Sequence, residues 1–205
     1  MKKALPFLLS VFLLLTVCGC SSTKAPEAVI AQRPVVLGNY GIPRPDWVII
    51  DVSTQDVHFA AGYGKMSTLQ NSIKRAQAEA KNLIAEWVST AVDEIIVTYT
   101  NDAGTDTDRQ ALDAFEAVGK QRAQAILSGT KQEDLWEDAD GGVWVLMSIP
   151  VENVASQMYG AASEAASSAN KGFMKNEAAK EANDMLNDAI DKYFSSQSVT
   201  DQSNE

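Results

Sequence analysis

The sequence predicts an α+β protein, a small and mainly antiparallel sheet of about four or five strands covered by two helices and followed by a long helical C-terminal extension. Three observations predict it. Two pairs of short runs rich in branched and aromatic residues are each joined by a polar turn, at Trp47 to Tyr63 and at Asp134 to Ile149. A helical period opens at Ser67, and a second apolar stripe, Met174 to Phe194, follows the last strand-like run.

Taken in order, residues 21–46 read as a tether, because Pro26, Pro34, Gly38, Gly41, Pro43 and Pro45 interrupt every periodic pattern that begins there. Val35, Val36 and Leu37 are the exception and suit a short edge strand. The folded domain is expected from Trp47. Trp47 to Val52 and Val57 to Tyr63 have strand composition, and Ser53 to Asp56 between them makes a polar turn, so a hairpin is predicted.

From Ser67 the period changes. Leu69, Ile73, Ala76, Ala80, Leu83, Ile84, Trp87, Val88 and Ala91 recur at helical spacing, and Ser67 with Gln70 matches a capping box. Small Ala76 and Ala80 permit close approach to a sheet. Glu94 to Thr100 reads as a strand, Asn101 to Asp106 as a loop, and a second helix is expected from Asp106 or Thr107, with Gly119 its weak point. Asp106 and Asp108 suit the positive end of that helix dipole.

The second hairpin is Asp134 to Asp138 and Val143 to Ile149, turned at Ala139 to Gly142, where Asp-Gly is a strong turn signal. Pro150 ends the strand and opens a helix carrying Val151, Val154, Ala155 and Met158, which Ala161 to Ala169 continues. Gly172 breaks it. The stripe from Met174 to Phe194 then either packs on its own domain or binds a partner helix, and Ser195 to Glu205 has the composition of a disordered tail. The expected organisation is a signal peptide over 1–19, a tether over 20–46, an α+β domain over 47–160, a helical extension over 161–195 and a tail over 196–205.

The start of the chain gives an address. Lys2 and Lys3 precede an apolar run from Ala4 to Val17, too short for the roughly 20 residues of a spanning helix and suited to a signal peptide. The run ends in Val17-Cys18-Gly19-Cys20, which resembles a bacterial lipobox, with Cys20 the lipidated residue. A thiolate there takes the diacylglyceryl group, and cleavage after Gly19 frees an amine for a further chain. Each buried methylene contributes about 0.8 kcal/mol, and stable anchoring needs more than one chain. Ser21 after the cysteine looks like the outer-membrane sorting pattern of enteric-type bacteria.

Composition limits the partners. Removing residues 1–19 leaves 186 of the 205 residues, with 15 basic against 27 acidic groups and a net charge of −12. Nucleic acid is not an expected partner for so acidic a chain, and membrane attachment must come from the lipid on Cys20. Processing leaves Cys20 as the sole cysteine, so no internal disulfide, thiolate metal site or thiol chemistry is expected.

No catalytic or metal-binding constellation stands out. Gly62-Tyr63-Gly64 lacks the third glycine of the dinucleotide fingerprint and the Lys-Ser/Thr end of the nucleotide loop, which favours a plain strand-to-helix turn. Asn101, Asp102, Asp106 and Asp108 miss the spacing of a calcium loop. His58 is the sole histidine and suits a structural position on a strand. No recognisable motif pairs a nucleophile with a base, and no cofactor is expected.

Several of these segments together resemble a known family: the lipidated cysteine, Pro45-Asp46-Trp47-Val48, Ala60-Ala61-Gly62-Tyr63-Gly64, the helix with Arg75, Ala76, Ala78, Ala80 and Leu83, and Val143-Trp144-Val145-Leu146-Met147-Ser148-Ile149-Pro150. The pattern is similar to the LPP-twenty family of bacterial outer-membrane lipoproteins, whose domain is also similar to part of a flagellar assembly protein, over about residues 45–160. The resemblance implies an envelope-anchored, non-enzymatic protein with a small α+β domain and supplies no catalytic residues. The C-terminal helix falls outside that pattern and is a candidate surface for an envelope protein partner. The leading expectation is a lipid-anchored envelope protein of structural or protein-interaction type, and the alternative is a periplasmic binding module that holds a small ligand or peptidoglycan fragment beside Trp47, Trp87, Trp136 or Trp144.

Overall fold

A computed structural model describes residues 34–103, 109–169 and 176–200. The signal segment, Cys20, residues 21–33, Asp106, Asp108, Gly172, Met174 and residues 201–205 lie outside that set. The elements are β1 (Val57–Gly64), α1 (Leu69–Ala103), α2 (Arg109–Ile126), β2 (Lys131–Glu137), β3 (Val143–Pro150), α3 (Val151–Ala169) and α4 (Asn176–Thr200). They make an α+β fold with an antiparallel sheet in the order β1-β3-β2. Three strands are seen among the described residues, fewer than expected, and both missing strands have identifiable reasons.

Glu94 to Thr100 is the upper half of α1, which runs unbroken for 35 residues. Its branched residues favour a strand locally. Helical phase wins because Ile84, Val88, Val92, Ile95 and Tyr99 fall on one face and are at most 1% exposed. Thr98 and Thr100 adapt by donating their hydroxyls to the carbonyls of Glu94 and Ile96, at 3.0 and 2.8 Å. Trp47 to Val52 is likewise no strand. A single 3-10 turn, Asp46–Val48, begins after extended Pro45, and Ile49 and Ile50 remain about half exposed.

The tether reading fails for residues 35–46, which fold onto the sheet. Leu37 bridges Pro43, and the N–H of Arg44 donates to the Val36 carbonyl at 2.8 Å. The tip uses positive φ at Tyr40 and Gly41, 59° and 72°. Trp136 donates its indole N–H to the Ile42 carbonyl at 3.1 Å, and Trp47 donates its own to Asp134 Oδ2 at 2.9 Å.

Register assigns the two faces of the sheet. His58, Ala60, Gly62 and Gly64 oppose Ile149, Met147, Val145 and Val143, and this face meets α1. A Cβ on Gly62 would sit 2.2 Å from the Ala76 carbonyl oxygen and 2.3 Å from the Ala80 nitrogen, so strand and helix backbones touch where both carry their smallest residues. Phe59, Ala61 and Tyr63 share the outer face with Ser148, Leu146 and Trp144, and Trp136 sits opposite Trp144. Residues 35–53 cover part of that face.

The helix cap sits one residue later than expected. Thr68 Oγ1 accepts from the Asn71 N–H at 3.3 Å, and Ser72 Oγ accepts from the Met66 N–H at 2.9 Å. The lower half of α1 packs on the sheet and its upper half on the helices, where a Cβ on Gly119 of α2 would lie 3.0 Å from Val92 Cγ2. The second hairpin turns as expected, with Gly141 at φ 77° and Asp138 Oδ1 accepting from the N–H groups of Asp140 and Gly142 at 2.9 and 2.7 Å. The C-terminal stripe is buried within the chain: Ala182, Leu186, Ala189, Ile190 and Tyr193 are at most 5% exposed, and α4 packs on α1 and α3. Helix persists to Thr200, through half of the expected tail.

Candidate functional site

A cleft of about 470 Å³ opens along the outer edge of β1. One wall is the segment Trp47 to Val52. The other is one face of α1, where Leu83, Glu86, Trp87 and Thr90 recur one helical turn apart. His58 to Ala61 form the floor, with Leu146 behind them. Direction explains the arrangement: α1 returns antiparallel to β1, so Ser72 lies beside Gly64, Ala76 beside Gly62 and Trp87 beside His58.

His58 stacks on Trp87 with ring centroids 4.1 Å apart and planes 10° from parallel. Burial is the main influence on its imidazole and pushes its pKa below 6.5, while the negative charge of Asp51 pulls the other way. Burial thus favours the uncharged ring, which lies flat against the indole. Ser53 Oγ lies 3.3 Å from His58 Nδ1, and Asp51 Oδ1 accepts from the Ser53 N–H at 2.8 Å.

Serine, histidine and aspartate thus converge where sequence spacing gave no sign of it, yet the arrangement is a clasp. Ser53 Oγ accepts from the Phe59 N–H at 3.0 Å and lies 3.4 Å from the Phe59 carbonyl. Asp51 bonds the serine backbone and does not orient the imidazole through a hydrogen bond, so the relay that activates a nucleophile is not assembled. What the cleft offers is contact surface: two indoles, an imidazole, aliphatic Ile49, Ile50 and Leu83, and the carboxylates of Asp51 and Glu86.

Of the four tryptophans, Trp47 and Trp87 line this cleft; Trp136 and Trp144 face each other across β2 and β3, away from it. Trp136 is buried at 4% exposure beneath the 35–46 hairpin, and Trp144 lies against Tyr63 with ring centroids 5.0 Å apart. Gly62-Tyr63-Gly64 is the end of β1, where the glycines serve contact with α1. Asp102 pairs with Lys192 of α4 at 2.6 Å, which ties the C-terminal end of α1 to α4. Among the described residues no group of three or more His, Cys, Asp or Glu is placed to hold a metal ion, and no helix is long and apolar enough to cross a membrane. Sequence reasoning missed Asp51, Ser53 and Glu86. Asp51-Val52-Ser53 has a spacing suited to a side-chain-to-backbone turn, a local signal for the first two that says nothing of their meeting His58 or of Glu86.

The chain matches no family profile, no curated protein and no solved structure.

Proposed function

We propose that the chain is a lipid-anchored lipoprotein of the cell envelope, of LPP-twenty type over about residues 45–160, held at the outer membrane by acyl chains, palmitate among them, on Cys20. It faces the periplasm and acts as a binding module without catalytic activity. The address rests on the lipobox reading of Val17 to Cys20. The observation that carries the binding role is the cleft, where Trp47, Trp87 and His58 converge from three separate segments onto about 470 Å³ of accessible space. Flat apolar rings beside carboxylates suit a ligand that has both apolar faces and donor groups, such as a peptide or a peptidoglycan fragment.

Calorimetric titration of the mature, acylated chain in detergent with soluble disaccharide-peptide fragments and with short peptides tests the reading. One saturable site that Trp87→Leu abolishes is the expected result. No saturable binding by either class would overturn it. A second reading, an interaction protein that docks through residues 35–42, is favoured by the exposure of Val35, Leu37, Tyr40 and Ile42, at 73, 53, 88 and 54%.

A further inference from the structure

The floor of the cleft is the unpaired edge of β1, and the hydrogen bonds along that edge are unevenly claimed. Val57 and Phe59 turn their backbone groups outward, since Val57 opposes Pro150, which has no N–H to exchange. Both are occupied. The Val57 N–H donates to Thr54 Oγ1 at 3.1 Å, its carbonyl accepts from the Thr54 N–H at 2.9 Å, and Ser53 Oγ takes the Phe59 N–H.

Strand alternation points the N–H and C=O of Ala61 and Tyr63 the same way, and no hydrogen bond among the described residues claims them. The chain's own side chains therefore cap the first half of the edge and leave the second half open beside the cleft. An unpaired strand edge is a template for another strand. Charge adds a second constraint. Asp51 on one wall and Glu86 on the other are the charged groups of the cleft, and no lysine or arginine lines it.

We infer that the cleft takes an extended, basic polypeptide segment, which adds to β1 as a short fourth strand at Ala61 and Tyr63 and sets a lysine or arginine side chain between Asp51 and Glu86. The inference rests on the reading of this cleft as the binding site and names its ligand class. Backbone pairing supplies affinity without regard to sequence; the carboxylates select the positive side chain. A neutral saccharide would use the indoles and leave the strand edge unused.

The experiment titrates the full mature chain, acylated and in detergent, with probe peptides of about eight residues, a strand of ordinary length. One alternates Lys and Val, one alternates Glu and Val, and one is the Lys-Val peptide with alternate amides N-methylated; a neutral chitin-type oligosaccharide is the fourth probe. The Lys-Val peptide is expected to bind saturably and to slow amide hydrogen exchange at Ala61 and Tyr63. N-methylation, which keeps the charge and removes strand donors, is expected to weaken binding at least about tenfold, a difference of about 1.4 kcal/mol. The double variant Asp51→Asn with Glu86→Gln is expected to weaken it by a similar factor, and the Glu-Val peptide not to bind.

Equal binding by the Glu-Val or the N-methylated peptide would overturn the inference. Binding of the oligosaccharide alone would overturn it while leaving the cleft as the binding site. Failure of every probe would overturn both.

Discussion

The two faces of the sheet are built on opposite principles. The face toward α1 carries Ala60, Gly62, Gly64, Val143, Val145, Met147 and Ile149, all buried, and admits the helix backbone to direct contact. The outer face carries Phe59, Tyr63, Trp144 and Trp136, and is covered in part by a segment held through hydrogen bonds at its rim, Trp47 to Asp134 and Trp136 to the Ile42 carbonyl. The first face buys rigidity through close packing, which leaves no room for adjustment. The second leaves a cleft at its border with α1. The difference teaches that the same strand, β1, is tightly packed on one face and borders an open cleft along its edge.

The largest effect is expected where the packed face has no slack. Gly62→Ala places a methyl against the backbone of Ala76 and Ala80, so α1 must shift; a loss of about 3 kcal/mol, read by urea denaturation, is expected. A loss below about 0.5 kcal/mol would show that the close contact is not a constraint.

The outer face should tolerate more. Trp47→Phe keeps a ring at the cleft and removes only the indole donor to an exposed carboxylate, so a loss of about 1 kcal/mol is expected by the same denaturation. An equal cost at both faces would erase the contrast between them.

The smallest effect concerns pH at the border between the faces. His58 has a folded pKa below 6.5, so below that pH the unfolded chain binds a proton that the folded chain does not. Stability from this group is whole above pH 6.5 and falls as pH drops toward the folded value. Asp51 opposes the shift, and Trp87 and Ser53 are the other neighbours of the ring. Melting temperatures at about pH 7.5 and about pH 5 should differ more in the wild type than in His58→Phe, which keeps the stack. Identical pH dependence in the two proteins would remove His58 as a source of it.

Local patterns were legible wherever a single element decides them. The period from Leu69 to Ala91, the Asp138 to Gly142 turn and the close approach foreseen from Ala76 and Ala80 all follow from short-range spacing. Glu94 to Thr100 was misleading because its branched residues favour a strand, while the phase that keeps it helical depends on what Val92, Ile95 and Tyr99 bury against. Trp47 to Val52 has strand composition but no strand to pair with, since the side chains of Ser53 and Thr54 occupy the neighbouring edge. The tether reading of residues 35–46 rested on Pro and Gly content, which marks turns as readily as disorder. Trp47 and Trp87 were visible as candidate ligand-binding aromatics and His58 as a structural residue on a strand, but their convergence depends on the direction in which α1 returns along β1, a tertiary fact.

Whether the edge cleft is the working surface is tested most directly by the four indole N–H resonances of the isotope-labelled chain during titration with the Lys-Val peptide. The signals of Trp47 and Trp87 are predicted to shift together and saturably, while those of Trp136 and Trp144 stay in place. Shifts confined to Trp136 and Trp144, or no shift in any of the four, would contradict it.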